Sequence, residues 1–214
     1  MENFITIKEN VTAEITEKKS KFIANLIKVK NKEEAENEIN KIKKAYHDAR
    51  HNCIAYRVIE EDRILEKSSD DGEPSGTAGG PMLNILQKSN LCNVIVVVTR
   101  YFGGILLGTG GLVRAYSEAT QKSIEKSEKI EMILGIEMEA KVEYSEYEKF
   151  KYYCEKNNIK IVETKYSENI IQKIELNEEE YNKLISKNME INRQLPFKIK
   201  EIGILCRKFI EKVQ

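Results

Sequence analysis

The chain has 214 residues, with 35 Lys+Arg against 35 Asp+Glu and a formal net charge of zero. That balance excludes a broadly basic nucleic-acid binder, so any such contact has to come from a local patch. The longest relevant apolar run, Val94 to Val98, is five residues, far short of the about 20 needed to span a bilayer as a helix. Apolar content of 41% suffices for a core, and this length suits one large domain or two small ones. The start, Met1-Glu2-Asn3-Phe4-Ile5-Thr6, lacks the basic and apolar regions of a signal peptide. Cys53, Cys92, Cys154 and Cys206 form no CxxC pair, and read as buried thiols in a reducing, cytoplasmic compartment.

In chain order, Phe4 to Lys8, Val11 to Thr16 and Lys21 to Val29 are strand-like. Asn31 caps a helix with Glu34 at the box position, and Ala35, Ile39, Ile42 and Ala45 recur at helical spacing as its core face. Asn52 to Ile59 and Arg63 to Lys67 are two more strands. On the first of these, alternation puts His51, Cys53, Ala55 and Arg57 on one face and the greasier Asn52, Ile54, Tyr56 and Val58 on the other. The second face should meet the core, and the first is left open or lines a site. Pro81 suits the first residue of a short helix to about Lys88. Val94 to Thr99 is apolar on both faces, as in a central buried strand. A loop, Arg100 to Gly108, leads to a helix near Gly110 to Ser127.

The texture changes near Lys126 to Glu131, which places a boundary between domains 1–130 and 131–214. Beyond it, Ile133 to Tyr144 is a strand. Ser145 with Glu148 makes a capping box for a helix to about Asn157. Strands Ile159 to Tyr166 and Ile170 to Leu176 follow, then a helix from Asn177 and Glu180 to about Met189, and a last strand Phe197 to Cys206 after Pro196. This β-α-β-β-α-β order is the ferredoxin-like arrangement, and the class is α+β. The second domain carries no catalytic-looking constellation and reads as a docking or regulatory module.

Nine of the eleven glycines lie between Gly72 and Gly111. Gly108-Thr109-Gly110-Gly111 open a helix whose first acid, Glu118, comes about two turns in, while Arg114 sits near its start. Bare backbone N–H groups at such an end attract anions. The expected ligand is a phosphate, most simply of an RNA backbone, with Arg100, Gly103 and Gly104 beside it. The alternative is that the glycines only permit close packing. No P-loop or dinucleotide fingerprint is satisfied. Ser75, Gly76, Thr77 and Gly79, up to Pro81, form a second glycine-rich helix start and a second candidate anion nest. Asp70, Asp71 and Glu73 offer a candidate Mg²⁺ site, against the plainer reading of a solvated turn. No other cofactor is expected. His51 and Cys53 form a candidate acid–base or nucleophilic pair without a clear orienting acid. Lys41, Lys43, Lys44, Arg50 and Arg57, with Tyr46 and Tyr56 between, form a candidate RNA-facing patch; lysines at a helix end equally suit its dipole.

Four motifs in order, Asp48 to Cys53, Asp70 to Gly79, Asn93 to Gly108 and Gly110 to Tyr116, resemble the YigZ/IMPACT family over roughly Ser20 to Ser127. The resemblance implies a first domain with the two-layer fold of domain IV of elongation factor G and a ferredoxin-like second domain similar to its domain V. It also implies contact with RNA or the ribosome. Eukaryotic members of the family regulate translation by blocking activation of a starvation-sensing kinase through its activator protein. Three readings follow. The first is a non-enzymatic translation-associated regulator that binds RNA or the ribosome, without sequence-specific DNA reading or a membrane. The second is a small hydrolase, metal- or Cys/His-dependent, acting on a phosphorylated or peptide substrate. The third is a protein-interaction adaptor.

Overall fold

The computed structural model describes residues 3–60, 63–189 and 195–212. The chain divides into two compact units, Asn3–Glu131 and the residues from Met132 on.

In the first unit, β1 (Phe4–Ile7), β2 (Val11–Glu17), β3 (Ser20–Lys28), α1 (Lys32–Ala45), β4 (His51–Glu60), β5 (Arg63–Ser69), α2 (Gly79–Lys88), β6 (Val94–Tyr101) and α3 (Gly108–Lys126) follow in order. Strands β2-β3-β6-β4-β5 form one antiparallel sheet. The apolar run of β6 lies at its centre, with Val94 to Val98 wholly buried.

Both faces of this sheet are covered. Cys53, Ala55, Val94, Val96 and Val98 pack with Met82 and Leu86 of α2 and Leu112, Ala115, Tyr116 and Ala119 of α3. On the other face Ile54, Tyr56, Val58, Ile95 and Val97 pack with Ala35 and Ile39 of α1. α1 covers the second face of the sheet, and the first face of β4 packs on α2 and α3 except at its start, where His51 lines a cavity. Period-2 alternation assumes one wet face; a strand sandwiched between helices reads apolar on both.

Local signals set the helix starts. Asn31 Oδ1 accepts from the Glu34 N–H at 2.9 Å, while the Glu34 carboxylate accepts from the Lys30 N–H. α2 begins two residues before Pro81, at Gly79. A Cβ on Gly79 would lie 2.6 Å from the Ser69 backbone, so only glycine lets this helix sit against β5.

The second unit continues β7 (Lys129–Val142) through a 3-10 turn (Tyr144–Glu146), α4 (Tyr147–Lys156), β8 (Lys160–Tyr166), β9 (Ile170–Asn177), α5 (Glu178–Met189) and β10 (Ile199–Glu211). β7 lies between β9 and β10, and β8 pairs on the far side of β9, all antiparallel. That order is ferredoxin-like, as expected. Asn177 caps α5 through the Glu180 N–H. Ser145 does not cap α4: its hydroxyl turns to Glu143 inside the 3-10 turn. The last strand runs two residues later at its start and five further at its end than expected, and Cys206 on it is exposed, not buried.

Candidate functional site

The residues between Ser69 and Tyr116 converge on the end of the first sheet where β4 begins and β6 ends. A cavity of about 400 Å³ lies there, lined by Arg50, His51, Gly72, Glu73, Pro74, Arg100, Phe102, Leu106, Leu107, Gly108, Thr109 and Leu112.

The α3 start forms one wall. Its first turn holds no acid, and Leu107 supplies no side-chain cap. Among the described residues no side chain accepts from the N–H groups of Gly108 to Gly111, so this helix end remains electropositive. Gly108 opens the helix at φ +72°, a conformation glycine adopts without a Cβ penalty. At Gly110 the backbone is ordinary, and an added Cβ would meet nothing within 4 Å. Internal packing therefore does not require glycine there.

Gly103 has the opposite explanation. A Cβ there would fall 2.0 Å from the Lys19 carbonyl carbon, and its N–H donates to Ser20 Oγ. Gly103 lets the β6–α3 loop close onto the β2–β3 turn. Gly104, at φ +84°, serves the same bend, and Gly111 sits tightly against Leu107. The packing explanation thus holds for Gly103 and Gly79 but not for Gly110.

The second glycine-rich helix start is already filled. Asp70 accepts from the N–H groups of Gly76 (2.8 Å), Ala78 (3.0 Å) and Gly79 (2.9 Å). Burial opposes ionisation of Asp70, but these three bonds outweigh it and hold its pKa below the usual carboxylate value. The nest expected at Ser75 to Gly79 binds this internal anion, with Thr77 buried and donating to the Pro74 carbonyl.

Asp71 takes a different direction. It accepts from Lys43 Nζ and the Asn52 N–H, each at 2.7 Å. Glu73 is buried and accepts through Oε1 from Arg100 (2.6 Å) and Tyr116 (2.9 Å). The three carboxylates proposed as a metal site are thus separated by their partners. Among the described residues no group of three His, Cys, Asp or Glu side chains is placed to hold a metal ion.

Arg100 lies inside β6, not past it. Its guanidinium stands over Phe22 and Phe102, 5.5 and 5.6 Å from the ring centroids. Its Nε has no partner among the described residues. Arg114 is exposed on the second turn of α3 and does not line the cavity.

His51 Nδ1 is 2.8 Å from the Asp71 carbonyl oxygen. A carbonyl only accepts, so Nδ1 carries a proton, and Nε2 is an acceptor in the tautomer that holds no second one. Nε2 lies 4.0 Å from Glu73 Oε1. Cys53 is fully buried, donates to the Asp70 carbonyl, and burial pushes its pKa up to about 12. A thiol so disfavoured as thiolate is a poor nucleophile. Tyr116 is likewise pushed well above its ordinary pKa by burial.

The expected Tyr-interleaved basic patch does not assemble. Arg57 is buried against Glu66 and the Leu91 carbonyl, and Tyr56 is buried on the opposite face of β4. Lys43 is held by Asp71. Arg50 alone of that set lines the cavity.

Phe102, Leu106, Thr109 and Tyr116 were not anticipated as site residues. Tyr116 carried a legible signal: a polar-tipped aromatic on the apolar stripe of Leu112, Ala115 and Ala119 needs a buried partner.

Residues 18–124 match the Impact N-terminal domain, and residues 141–187 match a domain of unknown function, DUF1949. The IMPACT family member YvyE of Bacillus subtilis (strain 168) is 41% identical over 182 residues, covering 85% of this chain and 83% of that protein. The IMPACT family member YigZ of Escherichia coli (strain K12) is 40% identical over 127 residues, 59% of this chain and 62% of that protein. A crystal structure described as that of a hypothetical protein is 31% identical, covers 94% of this chain and 99% of its own, and superposes with a TM-score of 0.61. By its Impact N-terminal domain and its similarity to YvyE along most of both chains, this protein belongs to the IMPACT family.

Proposed function

We propose that this protein is a non-enzymatic, translation-associated regulator that binds structured RNA or the ribosome by seating a phosphate on the α3 N-terminus. The observation that carries the reading is the uncapped, acid-free first turn of α3, opening onto a cavity with Arg50 in its wall and with Arg100 there paired to Glu73. Gly110 supports it, because a glycine with no internal packing duty in a helix suits close approach of a ligand. Membership in the IMPACT family, whose resemblance implies domains like IV and V of elongation factor G, supports the translation part.

The hydrolase reading loses its metal carboxylates and its thiol and keeps only His51. Asp70 caps α2, Asp71 holds Lys43, and Cys53 is held protonated by burial.

The test is co-sedimentation with ribosomes and with structured RNA over a salt series, for the wild type, Arg50→Ala and Gly110→Glu. Phosphate contacts release counterions, so binding should fall steeply with salt. Both variants should bind more weakly. Binding indifferent to salt and to both substitutions would defeat the reading.

A further inference from the structure

The walls of the α3 cavity contain more than a phosphate needs. We infer that the cavity accepts one unpaired nucleotide, a nucleoside monophosphate unit, with its phosphate on the α3 N–H groups and its base against Phe102. This rests on the anion-binding reading above and names the chemistry of the ligand at that site.

Three independent features point beyond a bare anion. The first is Phe102. One face of its ring carries the Arg100 guanidinium, yet the side chain is 41% exposed. Arg100, only 7% exposed, is itself braced from behind by Phe22. The stack presents a preformed aromatic surface, and every base has a π-face that such a surface can hold. The unpartnered Nε lies on this same buried guanidinium in the cavity wall.

The second is His51. Its Nδ1–H is spent on the Asp71 carbonyl, and in the neutral tautomer Nε2 of this cavity-lining residue is a hydrogen-bond acceptor. A backbone phosphodiester is acceptor-only and has no proton to offer that nitrogen. A ribose hydroxyl or a base amino group has one.

The third is the apolar rim. Leu106 is 82% exposed beside the cavity, with Leu107 and Leu112 behind it. Apolar side chains around a phosphate site add nothing to anion binding, but they cover a flat, weakly polar ring. The volume of about 400 Å³ falls within the roughly 300–1,000 Å³ of small-molecule sites. A base paired inside a duplex cannot reach Phe102, so the nucleotide has to be free, terminal or unstacked.

The probes are AMP, ribose 5-phosphate and inorganic phosphate, titrated calorimetrically into the full chain. A single-stranded oligoribonucleotide and a duplex of the same sequence serve as competitors. AMP should bind about 5- to 150-fold tighter than ribose 5-phosphate, and Phe102→Ala should remove most of that gap, the range that base–aromatic stacking supplies. Phe102→Ala should lower AMP affinity by a larger factor than it lowers the weak affinity for inorganic phosphate. Leu106→Ala, at a position too exposed to matter to folding, should give a smaller loss in the same direction. Competition by the single strand places the nucleotide in RNA; AMP binding without such competition makes it a free nucleotide. Equal affinity for AMP and ribose 5-phosphate, or an AMP affinity indifferent to Phe102→Ala, overturns the inference. If duplex and single strand bind alike and Phe102 has no effect, the inference fails while salt-sensitive RNA binding stands. If ribosomes and RNA do not bind but AMP does so through Phe102, the translation reading fails and the nucleotide site stands.

Discussion

Replacing Gly110 by Glu should make the protein more stable and a poorer anion binder at once. The residue is third in α3 and open around its Cα, with no atom within 4 Å of an added Cβ and no left-handed backbone to strain. Removing a glycine from a helix stabilises it by about 0.5–1 kcal/mol, and the first turn lies at the lower end of that range. A carboxylate in the first turn adds about 0.3–1 kcal/mol through the helix dipole. Together these give about 1 kcal/mol, or a rise of roughly 2–4 °C in the midpoint of thermal unfolding for a protein of this size. The same carboxylate neutralises the helix end and should lower affinity for inorganic phosphate or RNA at least about tenfold, the equivalent of ~1.4 kcal/mol. Gly110→Ala separates the two effects, carrying the conformational gain without the charge. Thermal unfolding and calorimetric binding on the three proteins check this. A destabilised Gly110→Glu would refute the claim that packing leaves the glycine unexplained. Unchanged anion affinity would refute the placement of the site.

Three further outcomes follow from the same geometry. Gly103→Ala should destabilise by about 3 kcal/mol, the upper end of overpacking costs, because its Cβ would land on the Lys19 backbone; denaturant unfolding reads this. Asp70→Ala should cost about 0.5–2 kcal/mol as a lost helix cap. Asp70 has a folded pKa below its ordinary 3.8, so its stabilisation is complete above about that pH and is lost as pH falls through the lowered folded value. The gap between wild type and Asp70→Ala should therefore be constant at neutral pH and shrink only in acid. In native protein a thiol reagent should titrate Cys206 rapidly and leave Cys53, Cys92 and Cys154 protected until unfolding; rapid reaction of Cys53 would contradict its burial.

Short-range signals survived folding where the partner was a neighbour in the chain. The Asn31 and Asn177 caps, the apolar run of β6 and the second unit's β-α-β-β-α-β order were all legible, because capping and burial periodicity depend on residues a few positions apart. The Ser145 box failed because a 3-10 turn intervened, a choice of local geometry that an S-x-x-E spacing does not specify.

The sequence by itself singled out the glycine-rich segment as the candidate site and α3 as a helix start without acid in its first turn, since both are properties of composition along a stretch of chain. Only the tertiary structure decided which groups remain available there. Asp70, Asp71 and Glu73 look alike in sequence, yet one caps α2, one holds Lys43 and one is buried with Arg100 and Tyr116. The two glycine-rich helix starts also look alike, but Asp70 fills one and no side chain of the described residues fills the other. Whether a charge is spent or free depends on partners brought near by the packing of β4, β6 and the helices, and that pairing is invisible to any local pattern.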